Sequence, residues 1–156
     1  MINNFLEFLI FENIYLIANI GVLPFWLLLI ILPSHNISNF FVQSIIAPLI
    51  LASAYAYIAY NIFLNGNILE SFQLYQGIDG LYSMFSDEAF LLIFWLHFLS
   101  TSLFLGSWIA RDSQKYLVPR FFSVISLILT YFTGPIGLTI YWFIRIFFAR
   151  KISFND

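Results

Sequence analysis

Between Asn13 and Leu69 the chain carries no Asp, Glu, Lys or Arg. A water-soluble globule of this size has no way to hide such a run, since soluble domains carry about 25% charged residues throughout. Here the charged fraction is 9% and the hydrophobic fraction 62% over 156 residues. The length suits one domain, residues 1–156. The absence of cysteine excludes disulfides, thiolate catalysis and Cys-ligated metal. A net charge of −2 argues against a nucleic-acid partner, which requires a basic face. The N-terminal residues Met1–Asn13 have neither a basic n-region nor a small-residue cleavage site.

A membrane span needs about 20 apolar residues. Four segments qualify, near residues 14–32, 43–64, 87–110 and 120–148. The first contains Pro24 and stops at Pro33. The second ends at Asn65-Gly66-Asn67, a turn signal. Ser86 is placed to N-cap the third, with Asp87 and Glu88 favourable in its first turn. The fourth is too long for one straight crossing and is expected to kink or break at Gly134-Pro135. In the loop between spans two and three, Leu69, Phe72, Ile78, Leu81, Tyr82 and Phe85 recur at helical spacing and predict an interfacial amphipathic helix. The expected fold is therefore all-α: an integral membrane four-helix bundle with a kinked fourth helix. In that arrangement Arg111, Lys115 and Arg120 oppose Arg145, Arg150 and Lys151. The positive-inside rule then gives no orientation.

The third span carries the candidate chemistry. At about 100° per residue, His97, Ser100, Thr101, Phe104, Ser107, Trp108, Arg111 and Asp112 fall on one half of the helix and Ser102 outside it. In lipid such a polar stripe is expected to face protein or a cavity. Equal depth along the spans places Pro24, Tyr57 and the Gly134-Pro135 break near the level of His97. Pro24, Tyr57, Gly134 and Gly137 at that level, and Thr101 and Trp108 on the stripe, are candidate substrate-binding residues. His97 and Asp112 are candidate acid/base groups. The bland alternatives are a structural histidine bonded across helices, close packing through small residues, and an axial ligand to a pigment metal. No second ligand stands at helical spacing, so no protein-only metal site is expected. In the four-span arrangement Arg145 approaches Glu88, and the pair reads as a structural ion pair. An aromatic content of 21% suits either lipid-facing belts or a groove for a long isoprenoid or pigment ligand.

Several motifs occur together. They are Leu23-Pro24-Phe25-Trp26 followed by Leu32-Pro33, Trp95-x-His97, Leu103-Phe104-x-Gly106-x-Trp108 with Asp112, and Thr133-Gly134-Pro135-Ile136-Gly137-Leu138 with Arg145. In order and spacing they resemble the plant neoxanthin-synthase (abscisic-acid-deficient) family and its bacterial relatives. The family pattern has an acidic residue at Ser102 and a basic one at Ser107, and a joint loss of both reads as a lost ion pair or a changed activity. The resemblance implies a multi-pass protein of a bacterial plasma membrane or a thylakoid or plastid membrane, acting in xanthophyll metabolism. It implies an isomerisation of the violaxanthin-to-neoxanthin type, which needs an acid and a base but no redox cofactor. Through the same resemblance Trp26 joins the candidate substrate-binding residues. The alternative is a non-catalytic accessory subunit that binds pigment or lipid, with carotenoid or chlorophyll bound, in a larger membrane complex.

Overall fold

The computed structural model describes residues 10–44, 46–65, 75 and 77–150. Its elements are α1 (Phe11–Ile31), α2 (Asn36–Ser38) running into a π-helical turn (Asn39–Gln43), α3 (Ile46–Asn65), α4 (Ile78–Phe85), α5 (Glu88–Lys115), α6 (Arg120–Thr133) and α7 (Pro135–Ala149). No strand occurs among the described residues. Three segments are long and apolar enough to cross a membrane: α1, residues 36–62, and α5.

α1 passes through Pro24 without a break and ends at Leu32, before Pro33. The N-cap of α5 is Asp87, one residue later than the sequence suggests. Its carboxylate accepts the Phe90 amide at 3.0 Å. The loop helix at residues 78–85 is present as α4, with Ile78 and Tyr82 outward and Met84 buried. Leu69 and Phe72, assigned to the same helix from sequence, lie outside the described residues.

The main difference from expectation is the fourth apolar segment. It is two helices of 14 and 15 residues, not one kinked span. At 1.5 Å per residue each is about 21–23 Å long, short of the roughly 30 Å hydrocarbon core. Gly134 joins them at φ 57° and ψ −88°, a backbone that disfavours any side chain. The chain then doubles back. A Cβ on Gly137 would fall on the backbone nitrogen of Thr130, and Phe122 of α6 meets Phe148 of α7 at a ring-centroid distance of 6.0 Å. The turn stands against Ser102 and Phe98, near mid-length of α5.

The face of α5 that packs inward takes in only part of the polar stripe: Ser107 is buried and Ser100, Trp108 and Asp112 are half-buried. Leu96, Leu99, Leu103 and Ile109 are buried together with Ser102, Gly106, Ala110 and Ser113. His97, Thr101, Phe104 and Arg111 face outward. Where the surroundings are apolar, burial of apolar area no longer selects a helix face, and close approach through small residues does. Ser102-xxx-Gly106-xxx-Ala110 is the small-residue ridge. Atoms of the Trp26 ring lie 2.7 and 2.8 Å from where a Gly106 Cβ would stand.

Candidate functional site

Three polar constellations surround α5. The first closes its C-terminal end. Asp112 Oδ2 accepts from Tyr141 Oη at 2.7 Å and from Arg145 Nε at 2.8 Å. The Arg145 guanidinium lies 4.7 Å from the Tyr116 ring centroid and 5.2 Å from that of Trp142. Trp108 meets Tyr141 edge-on and stacks along Trp142. Tyr141 is fully buried, and Arg145 is 1% exposed. A carboxylate that neutralises one cation and accepts one phenol, sealed by four aromatic rings, is satisfied and shut off. It fastens α7 to α5.

Arg145 therefore pairs with Asp112 rather than Glu88. The hairpin carries α7 back to the end of α5 that Asp112 occupies. Glu88 lies at the other end, where it shares a cavity of about 500 Å³ with Glu12.

The second constellation is on the outer face near mid-length of α5. His97 is exposed there. Its Nε2 stands 3.5 Å from Thr101 Oγ1, and its ring centroid is 6.1 Å from that of Tyr55. A small groove of about 230 Å³ opens beside it, lined by Pro48, Ala52, Ser100, Thr101 and Phe104. Ser100 Oγ donates to the Pro48 carbonyl at 3.0 Å, tying α5 to α3. Tyr55 rather than Tyr57 faces the histidine.

The third is a cavity of about 760 Å³ between the ends of α1 and α5 and the start of α6. Sequence reasoning did not find it. His35 and Arg120 are the signal for it, polar groups flanking apolar spans at one end of the fold.

The sequence candidates thus separate. His97 and Asp112 lie about 22 Å apart along α5, so they cannot serve one reacting atom. Thr101 accompanies His97. Trp108 accompanies Asp112 through Tyr141. Trp26 is a core residue packed on Gly106 and edge-on to Tyr131. Pro24 is exposed on α1 and Tyr57 on α3, apart from either group. Gly134 and Gly137 form the hairpin turn. Ser102 faces Gly134, whereas Ser107 donates to the Val42 carbonyl of the π turn at 3.2 Å. The two serines therefore meet different neighbours. No group of His, Asp and Glu able to hold a metal occurs among the described residues.

The arrangement is that of an all-helical protein with three helices of membrane-crossing length and a half-length hairpin. The model of the ABA4-like family, described as ABA DEFICIENT 4-like, matches residues 13–141, and the chain belongs to that family. No curated protein and no solved structure matches the chain.

Proposed function

We propose that the protein is a multi-pass membrane protein of xanthophyll metabolism, acting as a carotenoid isomerase of the violaxanthin-to-neoxanthin type. The family supports the substrate class. The observation that carries the chemistry is the position of His97, an ionisable side chain near mid-length of a membrane-length helix, open to the surface. An ionisable group at that depth is functional by default, because lipid gives it no partner. A carotenoid dissolved in the bilayer meets it on that outward face, next to the groove over Thr101 and Phe104.

The reaction is redox-neutral. A C–H bond of the polyene breaks as its proton passes to a base, the electron pair forms the allene, and the epoxide C–O bond opens. The epoxide oxygen then takes a proton. Neutral imidazole removes the proton and its conjugate acid returns one to oxygen, so His97 serves both steps. The Asp112–Arg145 pair is structural in this reading.

The test is reconstitution in liposomes with violaxanthin and analysis by chromatography. Wild type should yield an allenic isomer of unchanged mass. His97→Ala should lose roughly 100-fold or more, in the range expected for a general acid–base group. Equal turnover by His97→Ala defeats this reading. So does a silent wild type beside an active plant relative.

The apolar cavity of about 410 Å³ between α1 and α3 favours a second reading, a pigment- or lipid-binding subunit without catalysis. In that case pigment or lipid copurifies with wild type and with His97→Ala, and neither forms product.

A further inference from the structure

The 760 Å³ cavity has an apolar floor and a rim rich in hydrogen-bond donors. Leu29, Ala110 and Leu127 are among its walls. Ser123 also lines it and is 7% exposed, its hydroxyl oxygen enclosed by protein.

At the rim, one terminal nitrogen of Arg120 donates to the carbonyls of Ile30 and Ile31, the last of α1. That leaves its second terminal nitrogen and its Nε for a ligand. His35 caps α2 by accepting the Ile37 amide at Nδ1, at 3.2 Å. An accepting Nδ1 places the proton of the neutral ring on Nε2, so His35 offers a donor. α6 begins at Arg120 without a side-chain cap, and its positive end adds to the field. No carboxylate among the described residues lines the cavity. Uncapped amides, a guanidinium and an imidazole N–H over a hydrocarbon floor complement one ligand chemistry, an anionic head on an apolar tail.

We propose that this cavity binds a phosphate-bearing amphiphile, its phosphate held by Arg120 and His35 and its hydrocarbon chain lying against Leu29 and Leu127. The inference is independent of the reaction assigned to His97. Two sources share this chemistry, the head group of an anionic phospholipid and a prenyl diphosphate.

The experiment uses the full chain in neutral detergent, with binding read by native mass spectrometry. The probes are phosphatidylglycerol, phosphatidylcholine, farnesyl diphosphate and inorganic phosphate. An anionic amphiphile should bind about tenfold tighter than phosphatidylcholine, the scale of one charge-assisted hydrogen bond. Arg120→Gln should remove most of that preference. Ser123→Leu, which narrows the cavity, should weaken binding, an independent check should Arg120→Gln fail to fold. Arg111→Gln, exposed at the same end but outside the cavity, should change nothing. Phosphatidylglycerol that farnesyl diphosphate does not displace identifies a lipid site, and displacement identifies a prenyl diphosphate site. Equal retention of both phospholipids overturns the proposal. An equal loss in Arg111→Gln, or inorganic phosphate binding as tightly as the amphiphiles, overturns it as well.

Discussion

Phe122, near the start of α6, and Phe148, near the end of α7, stand ring to ring with centroids 6.0 Å apart. This contact is possible only because the apolar segment between them turns at Gly134 and returns. One consequence concerns charge. With α7 folded back, Arg145 and Arg150 come to the end of the fold that already holds Arg111, Lys115 and Arg120. Every lysine and arginine among the described residues is then at that end. Glu12, Asp79, Asp87 and Glu88 lie at the other.

A distribution this lopsided predicts an orientation. Lysine and arginine within 15–20 residues of span ends are retained on the cytoplasmic side. The Gln114 end is therefore expected inside and the Asp79 end outside. The chain has no cysteine, so single substitutions read cleanly. In intact cells, Asp79→Cys should react with a membrane-impermeant maleimide, and Gln114→Cys should react only after lysis. The reverse pattern would contradict the charge argument.

Three glycines give a graded test of packing. A Cβ on Gly21 meets nothing within 4 Å, so Gly21→Ala should be neutral or stabilise by up to about 1 kcal/mol through helix propensity. Gly106→Ala drives into the Trp26 ring at 2.7 Å. Overpacking of that kind typically costs about 1–3 kcal/mol. Gly137→Ala meets the backbone of Thr130, which has no rotamer to offer, so the hairpin itself must open. Thermal denaturation in detergent should rank the variants in that order, with Gly137→Ala lowest. A Gly137→Ala protein as stable as wild type would mean that α6 and α7 do not pack through this contact.

The parts of this fold that were legible in the sequence are those set by length and by local stops. The uncharged runs mark α1 and α5, and Pro33 and the Asp87 region mark their ends. The hairpin was not legible, because Gly134-Pro135 signals a break without its direction. A bend and a full return carry the same local signature. Contacts such as that of Gly137 on Thr130 decide between them. The buried face of α5 was misread for a different reason. Its polar stripe was expected inside by the logic of sparing hydroxyls from lipid. Only the Ser100 and Ser107 edge follows that logic, donating to the Pro48 and Val42 carbonyls. The rest of the buried face is set by shape, along Ser102, Gly106 and Ala110.

The Asp112–Arg145 pair should behave as a buried lock. Asp112→Ala strands a cation that is 1% exposed, and removing one partner of such a pair typically costs about 3–5 kcal/mol. The double variant Asp112→Leu, Arg145→Met replaces the pair with apolar side chains of similar size and should recover most of that loss, as buried pairs often can be replaced. A double-mutant cycle on thermal stability measures the coupling. If the pair is structural only, the double variant retains turnover. A stable but inactive double variant would move the reaction centre from His97 to Asp112.

His97 should show the opposite balance. Its side chain is exposed, its contact with Thr101 is a long 3.5 Å, and no buried group depends on it. Substitutions at surfaces of this kind change stability by about 0.5 kcal/mol or less. His97→Leu should therefore unfold at nearly the wild-type temperature in detergent while turnover is lost. A general acid–base group is removed without disturbing the core of Leu96, Leu99 and Leu103. Thr101→Val should retain much of the activity, since it only borders the ring. A large loss of thermal stability in His97→Leu would show that the histidine holds α5 to α3 through Tyr55, a packing role incompatible with the one assigned to it.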